Sequence, residues 1–252
     1  MNIAVIFAGG MGTRMNRKDN TPKQFLTVCD KPIIVHTIEI FQNTKEIDAI
    51  VVSCIEDWIP HMEDLKNSYN LDKIKKIVKG GSTGQLSIYN GLEAAKEVSV
   101  EMRQGKFLGN SDLNKDIVLI HDGVRPVIDS DLIVRNIENV KKYGSAITSS
   151  EAKETFVLVD DEGEVKEIPS RAHSKIAKAP QSFYLDDILE VDRQAISEGI
   201  TNAIDSCTLM SMYGRGLSVV MGGYDNIKIT TPDDYYMFTA LYKSRLKNES
   251  GD

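Results

Sequence analysis

The chain has 252 residues, a formal net charge of −7, and 41% hydrophobic and 27% charged residues. These values predict a single globular domain over residues 1–252. An acidic chain without a long basic run is a poor candidate for binding nucleic acid, and no apolar stretch approaches the roughly 18 residues of a membrane span. Its three cysteines are widely spaced, which favours a reducing cytoplasm over a disulfide framework or a zinc site.

The first apolar run leads directly into a glycine-rich segment. Ile3 to Phe7 is short and rich in β-branched residues, which predicts a buried parallel strand. Arg14 and Lys23 follow and provide two cations suited to phosphate oxygens. Between the strand and these cations lie the small residues Ala8, Gly9, Gly10 and Gly12. Backbone N–H groups in such a segment can wrap an anion, so we predict a nucleoside triphosphate site.

Two common glycine motifs fit this segment poorly. No lysine follows Gly12 as a P-loop requires, and Met15 stands where a dinucleotide-binding fingerprint needs its third glycine. A simple glycine turn with solvated charges remains the alternative on this stretch alone.

Helical and strand patterns alternate through the next 100 residues. The predicted helices are 31–42, 57–69, 84–96 and 129–143, and the predicted strands are 49–54, 74–78, 117–121 and 145–148. This rhythm predicts a mostly parallel sheet with helices on both faces. The polar stretch 97–116 interrupts it and is interpreted as an insertion of unassigned role.

The pattern changes after residue 150. Two strand-like runs, 155–159 and 164–168, flank an acidic turn with Gly163 and predict a β-hairpin within 151–175. Helices are then predicted from about 185 and 203, strands at 217–221 and 227–229, and a last helix that begins at Thr231-Pro232.

A polar segment, His121-Asp122-Gly123-Val124-Arg125-Pro126, follows the strand 117–121. Ligands of open parallel sheets gather at the carboxyl ends of strands, so Asp122 is placed to hold Mg²⁺. Arg125 could bind a phosphate or brace the loop. The alternative is that His121, Asp122 and Arg125 form only a hydrogen-bonded brace.

Two further segments combine backbone turns with polar side chains. Gly80, Gly81 and Ser87 lie at a strand-to-helix junction where they could bind a base edge, although an ordinary cap is the alternative. Lys228 lies within the predicted strand 227–229, an unusual place for a lysine unless its ammonium reaches a partner or snorkels from an edge strand.

Four motifs together resemble the polyol-phosphate cytidylyltransferases, a family that includes enzymes acting on 2-C-methyl-D-erythritol 4-phosphate and on ribitol 5-phosphate. They are Ala-Gly-Gly-x-Gly-x-Arg-Met with Pro-Lys-Gln-Phe, Gly-Gly-x-x-Gly-x-x-Ser, His-Asp-Gly-Val-Arg-Pro and Asn-Ile-Lys-Ile-Thr-Thr-Pro. Gly84 stands where the family usually has an arginine. The resemblance implies a Rossmann-like nucleotidyltransferase fold of the GT-A type, with a β-hairpin arm that joins two subunits.

The resemblance also implies roles for individual residues. Arg14 and Lys23 would hold the CTP triphosphate, Lys228 the α-phosphate and Asp122 the Mg²⁺ cofactor. Gly80, Gly81 and Ser87 would hold cytosine. The acceptor-binding residues would be Arg125, Thr155, Arg171 and Asp205, with Arg171 reaching the active site of the other subunit.

The expected reaction is transfer of CMP from CTP to a polyol phosphate in a homodimeric, cytoplasmic enzyme that supplies cell-wall or capsule precursors. Gly84 and the Lys31-Pro32-Ile33 segment favour ribitol 5-phosphate as acceptor, with methylerythritol 4-phosphate as the alternative. Three other classes stay open: a sugar-1-phosphate nucleotidylyltransferase, a glycosyltransferase using Asp129-Ser130-Asp131 as a metal motif, and a domain that senses CTP without consuming it.

Overall fold

The computed structural model of the protein describes residues 1–10, 21–104 and 115–250, with side chains through residue 244. In the described chain the helices are α1 (Ile33–Asn43), α2 (Ile59–Ser68), α3 (Gly84–Arg103), α4 (Ser130–Tyr143), α5 (Leu185–Ser197), α6 (Ser206–Met212) and α7 (Pro232–Ser250). The strands are β1 (Asn2–Ala8), β2 (Thr27–Val28), β3 (Lys31–Pro32), β4 (Ala49–Cys54), β5 (Ile74–Lys79), β6 (Ile117–Asp122), β7 (Ser145–Glu151), β8 (Leu158–Val159), β9 (Val165–Glu167), β10 (Lys175–Tyr184) and β11 (Val219–Met221).

The central sheet has seven strands in the order β11-β7-β10-β6-β1-β4-β5. All neighbouring pairs are parallel except those of β10, which runs antiparallel to β6 and β7. The prediction of a mostly parallel sheet is therefore confirmed. β10 itself was not predicted, because the stretch 169–180 was interpreted as a loop.

Alternate side chains of the central strands bury on opposite faces, as a sheet covered on both sides requires. Ala4 and Ile6 of β1 lie in the core under α1, α2 and α4, whereas Ile3 and Val5 lie in the core under α3, α5 and α6. A third, smaller cluster around Ile33 and Phe238 packs α7 against the loop that follows β6. The sheet is thus a rigid platform that carries the loops at its carboxyl edge.

Local chemistry explains where several elements begin and end. Asp129 caps α4 by accepting a hydrogen bond from the Leu132 N–H at 2.8 Å, and Gly144 ends this helix with a φ of 84°. The Asp129-Ser130-Asp131 motif therefore starts a helix, as its capping pattern suggests. Asp234 accepts from the Thr231 N–H at 2.8 Å at the start of α7, which is the predicted capping box.

Two further sequence predictions are wrong, namely the end of one helix and the strand 227–229. Helix α3 does not stop at Lys96 but continues to Arg103, so the first part of the proposed 97–116 insertion is helical, while residues 105–114 lie outside the described chain. Residues 227–229 are not a strand. The Ile229 N–H instead donates to the Val124 carbonyl at 2.9 Å, which ties this segment to the loop after β6.

The predicted hairpin is confirmed in a shorter form. β8 and β9 pair in antiparallel fashion around the turn with Gly163, whose φ is 85°. This arm, residues 151–175, leaves the sheet at the end of β7 and returns at the start of β10. Every residue of the β8 and β9 strands is exposed, so the arm projects away from the core.

A buried carboxyl group joins two helices beneath the carboxyl edge of the sheet. Asp192 of α5 is 1% exposed and accepts a hydrogen bond from Gln85 Nε2 of α3 at 3.1 Å. Gln85 also receives the Ala203 N–H at 2.9 Å, so it holds the segment that precedes α6. Burial raises the pKa of Asp192 to about 6, despite the opposing hydrogen bond from Gln85.

We expect Asp192→Asn to stabilise the protein at pH 8 but not at pH 4. A raised pKa means that the folded state keeps its proton while the unfolded state loses it, so stability falls from about pH 4 to pH 6 and then levels off. A shift of this size corresponds to about 3 kcal/mol at most. Urea unfolding at pH 4, 6 and 8 measures the difference, with exposed Asp186→Asn in α5 as the control. An equal effect of Asp192→Asn at all three pH values would contradict the expectation.

Candidate active site

A cleft of two adjoining cavities lies at the carboxyl edge of the sheet. One cavity, about 430 Å³, is lined by the glycine segment after β1 and by the start of α3. The other, about 260 Å³, is lined by β10 and the start of α6. Phe7, Gly84, Asp122 and Lys228 line both. We call them the glycine half and the β10 half of the cleft.

The glycine half gathers most of the residues predicted to bind the nucleotide. It is lined by Ala8, Gly9, Gly10, Gly81, Ser87 and Asp122. Gln24 Nε2 donates to the Ala8 carbonyl at 2.7 Å, which fixes the end of β1. Gly80 does not line the cleft but donates its N–H to the Cys54 carbonyl at 2.7 Å. Gly12 and Arg14 lie outside the described residues, so their predicted roles stay predictions.

Close backbone packing explains why glycines occupy the end of β1 and the junction between β5 and α3. A Cβ on Gly9 would lie 2.6 Å from Ser87 Oγ, and one on Gly81 would lie 2.3 Å from Leu86 Cβ and 2.7 Å from the Leu86 carbonyl carbon. Ser87 Oγ in turn accepts the Gly81 N–H at 3.0 Å and donates to the Thr83 carbonyl at 2.8 Å. Ser87 thus shapes the turn, and the cleft presents backbone groups to a ligand.

We expect Gly81→Ala to weaken CTP binding and to lower stability by about 1–3 kcal/mol, the usual cost of overpacking a tight site. Gly216→Ala is the matched control, because a Cβ at Gly216 meets no atom within 4 Å and Gly216 lines neither half of the cleft. Thermal denaturation and calorimetric titration with CTP measure both effects. Equal behaviour of the two variants would show that the close approach at Gly81 does not shape the site.

Asp122 lies at the junction of the two halves and is 5% exposed. Lys228 Nζ is 2.5 Å from Oδ1, and Arg125 Nε donates to Oδ2 at 3.1 Å. Burial alone would raise the pKa of Asp122, but the charges of Arg125 and Lys228 outweigh it and hold the pKa well below its ordinary value. The carboxylate is therefore ionised at any physiological pH.

The brace predicted as an alternative for the 121–126 segment is also present. His121 is fully buried, and its Nε2 lies 3.0 Å from the Arg125 carbonyl. Burial lowers the pKa of His121 to about 4, so the imidazole is neutral. Arg125 Nη1 donates to the Asn226 carbonyl at 2.9 Å. The segment therefore braces the loop and also points Asp122 and Arg125 into the cleft.

Lysine side chains reach the cleft from two loops. Lys228 lies in the extended segment before α7, and its side chain is 40% exposed, so the correction of the predicted strand 227–229 does not remove it from the site. Lys23 lines the glycine half, and its Nζ donates to the Ile229 carbonyl at 2.9 Å. Both ammonium groups can therefore meet phosphate oxygens in the cleft.

The β10 half contains polar residues that sequence analysis partly missed. Arg125 and Asp205, both predicted, line it together with Lys178 and Gln181. Gln181 Nε2 donates to Asp205 Oδ2 at 3.0 Å, and Asp205 Oδ1 accepts the Thr208 N–H at 2.8 Å as the cap of α6. Lys178 and Gln181 escaped prediction because their strand was not recognised, and no local motif marks them.

Two predicted acceptor-binding residues lie apart from this cleft. Thr155 and Arg171 are exposed residues of the arm and line neither half. Within one subunit the chain does not bring them to Asp122, and their predicted role in the site of another subunit stays a prediction.

The junction of the two halves fits a Mg²⁺ ion for which Asp122 would supply one of several ligands. In the described chain no three His, Cys, Asp or Glu side chains cluster as a metal site. Asp122 would therefore supply a single carboxylate, and the remaining oxygen ligands would come from phosphates and water, as is usual for Mg²⁺ in nucleotide sites. Lys228 occupies Oδ1 of this carboxylate in the structure and is exposed enough to move aside.

The sequence matches known proteins along almost its whole length. Residues 2–243 match the family IspD, described as 2-C-methyl-D-erythritol 4-phosphate cytidylyltransferase. A ribitol-5-phosphate cytidylyltransferase of Streptococcus agalactiae is 58% identical over 97% of this chain and 96% of its own. One of Vibrio parahaemolyticus is 51% identical over 96% and 95%. A 2-C-methyl-D-erythritol 4-phosphate cytidylyltransferase of Clostridium acetobutylicum is 36% identical over 96% and 98%.

The fold agrees with the sequence. The crystal structure of 4-diphosphocytidyl-2C-methyl-D-erythritol synthase from Anaerococcus prevotii superposes with a TM-score of 0.77 at 26% identity, covering 96% of each chain. No helix in the described part of the chain is long and apolar enough to cross a bilayer. Taken with the cleft, the match over residues 2–243 shows that this chain belongs to the IspD family of cytidylyltransferases, a class of nucleotidyltransferase enzymes.

Proposed function

We propose that the enzyme transfers CMP from CTP to D-ribitol 5-phosphate, giving CDP-ribitol and pyrophosphate. The observation that carries the choice of acceptor is the contrast in identity, 58% and 51% to ribitol-5-phosphate cytidylyltransferases against 36% to a methylerythritol-phosphate enzyme. The cleft supports the reaction class, because its two halves offer adjoining sites for two phosphate-bearing substrates.

The proposed chemistry takes place where the halves meet. An oxygen of the acceptor phosphate attacks the α-phosphorus of CTP, a new P–O bond forms, and the bond to the bridging oxygen of pyrophosphate breaks with its electron pair. Such phosphoryl-type transfers depend on positioning and charge neutralisation rather than on covalent help from the protein.

The residues of the cleft divide these tasks. Lys23 binds the triphosphate from the glycine half, and Lys228 binds the α-phosphate at the junction. Arg125 holds Asp122 in place and faces the acceptor. A Mg²⁺ held by Asp122 would neutralise charge on the α- and β-phosphates. Gly81 and its neighbours bind the base through backbone groups.

Pyrophosphate release tests the proposal directly. Purified protein with Mg²⁺ and CTP is given ribitol 5-phosphate, methylerythritol 4-phosphate, glycerol 3-phosphate and a sugar 1-phosphate in parallel, with ATP, GTP and UTP as nucleotide controls. We expect release only with CTP, and fastest with ribitol 5-phosphate. Preferred use of methylerythritol 4-phosphate would contradict the acceptor assignment, and CTP binding without release with any acceptor would favour a sensing domain.

We also propose that the arm joins two subunits. Its exposed apolar side chains support this, since an isolated β-hairpin with such a surface is costly in water. They are Phe156, Val157, Leu158, Val159, Val165 and Ile168, exposed by 40–62%. Thr155 and Arg171 would then serve the acceptor site of the other subunit. Analytical ultracentrifugation of the wild type and Leu158→Asp tests this, and a monomeric wild type would contradict it.

A further inference from the structure

An irregularity in β10 faces the cleft. The pairing of β10 with β7 shifts register between Ala177 and Gln181, so Lys178, Ala179 and Pro180 stand outside the regular ladder. Such irregularities near active sites commonly redirect a side chain. Here the Ala179 carbonyl accepts from Asn226 Nδ2 at 2.7 Å, which satisfies the backbone, and Lys178 lines the β10 half of the cleft.

Lys178 is a half-buried cation in an electropositive surrounding. Its Nζ donates to the carbonyls of Tyr224 and Asn226, both at 3.0 Å. Arg125 Nη1 donates to the same Asn226 carbonyl at 2.9 Å, so the two cationic groups are near neighbours. Lys178 forms no ion pair with any carboxylate of the described residues. Burial, and then the charges of Arg125 and Lys153, lower the pKa of Lys178, with partial relief from Asp225.

The Lys178 ammonium can donate a further hydrogen bond to a ligand in the cleft. An ammonium has three N–H donors, and two of those on Lys178 are taken by backbone carbonyls. Asp205 is the other carboxylate that lines the cleft. It accepts a hydrogen bond from Gln181 Nε2 and caps α6, so its negative charge is not paired with the Lys178 ammonium. Two adjacent cations with too little compensating charge are unfavourable until an anion binds between them.

We propose that Lys178 binds the phosphate of the acceptor and thereby selects phosphate esters over free polyols. The acceptor phosphate lies between Lys178, Arg125 and Lys228, next to the α-phosphorus of CTP, and its hydroxyl chain extends towards Gln181 and Asp205. This inference rests on the proposed function for the identity of the acceptor, but the anion site itself does not depend on which polyol is bound.

Three variants separate binding from support of the loop. Lys178→Met removes the charge and keeps most of the aliphatic stem, and Lys178→Arg restores a cation. The matched control is Lys175→Met, because Lys175 lies in the same strand but pairs with Glu151 at 2.7 Å and does not line the cleft.

We expect Lys178→Met to raise KM for ribitol 5-phosphate by roughly 10- to 100-fold, the range for one hydrogen bond to a charged group. KM for CTP should change by less than about twofold, Lys178→Arg should recover part of the loss, and Lys175→Met should match the wild type. A Lys178→Met variant with unchanged acceptor KM, or with equal losses for acceptor and CTP, would overturn the proposal in favour of a purely supporting role.

Calorimetry distinguishes a failure of this inference from a failure of the proposed function. Wild type and Lys178→Met are titrated with ribitol 5-phosphate, glycerol 3-phosphate and unphosphorylated ribitol, without CTP. Binding of the phosphate esters that is lost in the variant supports the inference even if no pyrophosphate release is seen with ribitol 5-phosphate. Equal binding of the esters by both proteins overturns it even if release is fast.

Discussion

Replacing Asp122 with Asn is expected to lower kcat by about 10³-fold, at the upper end of the loss when one preorganised charged group is removed from a transition state. The amide keeps the size of the side chain but loses the negative charge. Without that charge the site loses its proposed metal ligand, and Lys228 and Arg125 lose the carboxylate that holds them at 2.5 and 3.1 Å. Pyrophosphate release at saturating CTP and ribitol 5-phosphate measures the effect.

The Asp122 experiment needs two controls. Removing one partner of a buried ion pair also destabilises a protein, by roughly 3–5 kcal/mol, so thermal denaturation must show that the variant is folded at the assay temperature. Asp131→Asn changes an exposed carboxylate of α4 that pairs with Arg135, and this variant should keep wild-type activity. A folded Asp122→Asn enzyme with kcat within tenfold of the wild type would remove Asp122 from the mechanism.

The second large effect is expected at Lys23. Lys23→Ala should lower kcat by ~10²–10³, because it removes a preorganised donor to charge that develops on the triphosphate. The Lys23 ammonium is held at the Ile229 carbonyl, 2.9 Å away, and lines the glycine half. It is therefore already positioned before CTP binds.

Lys31→Ala is the matched control for Lys23, since Lys31 lies nearby in sequence but pairs with Glu39 at 2.6 Å. Single-turnover measurements separate chemistry from CTP binding. If Lys23→Ala raised only KM for CTP and left kcat unchanged, Lys23 would bind the substrate and the transition state equally well.

The parallel part of the fold was predictable because its strands are short apolar runs between amphipathic helices. β1, β4, β5 and β6 appear where hydrophobic periodicity places them. β10 could not be predicted in this way, because Pro180 interrupts it and proline usually argues against a central strand. The register shift between Ala177 and Gln181 accommodates this proline.

The opposite error occurred at Ile227-Lys228-Ile229. The alternation of apolar and polar residues is typical of a strand, but the segment pairs with no strand of the described chain, and Ile229 packs against Val124 and Phe238 instead. Tertiary contacts, and not the local alternation, therefore determine the conformation of residues 227–229. Lys228 lines the cleft all the same, although one of the two arguments for it, its position within an apolar strand, does not hold.

The residues of the candidate site also differ in whether a sequence pattern could locate them. Gly9, Gly81, Ser87 and Asp122 follow recognisable strands at their carboxyl ends, so general rules for open α/β sheets locate them. Lys178 and Gln181 reach the cleft only because β10 runs antiparallel between β7 and β6. No spacing in the sequence reports that juxtaposition.

The antiparallel strand also separates the linings of the two halves of the cleft along the chain. Apart from Lys228, the glycine half is lined by chain before residue 126, whereas the wall unique to the β10 half comes mainly from residues 177–206. Selection can therefore alter the acceptor through β10 and the start of α6 without disturbing the grip on the nucleotide. Substitutions confined to residues 177–206 can in this way change which polyol phosphate fits, while the lining of the glycine half stays the same.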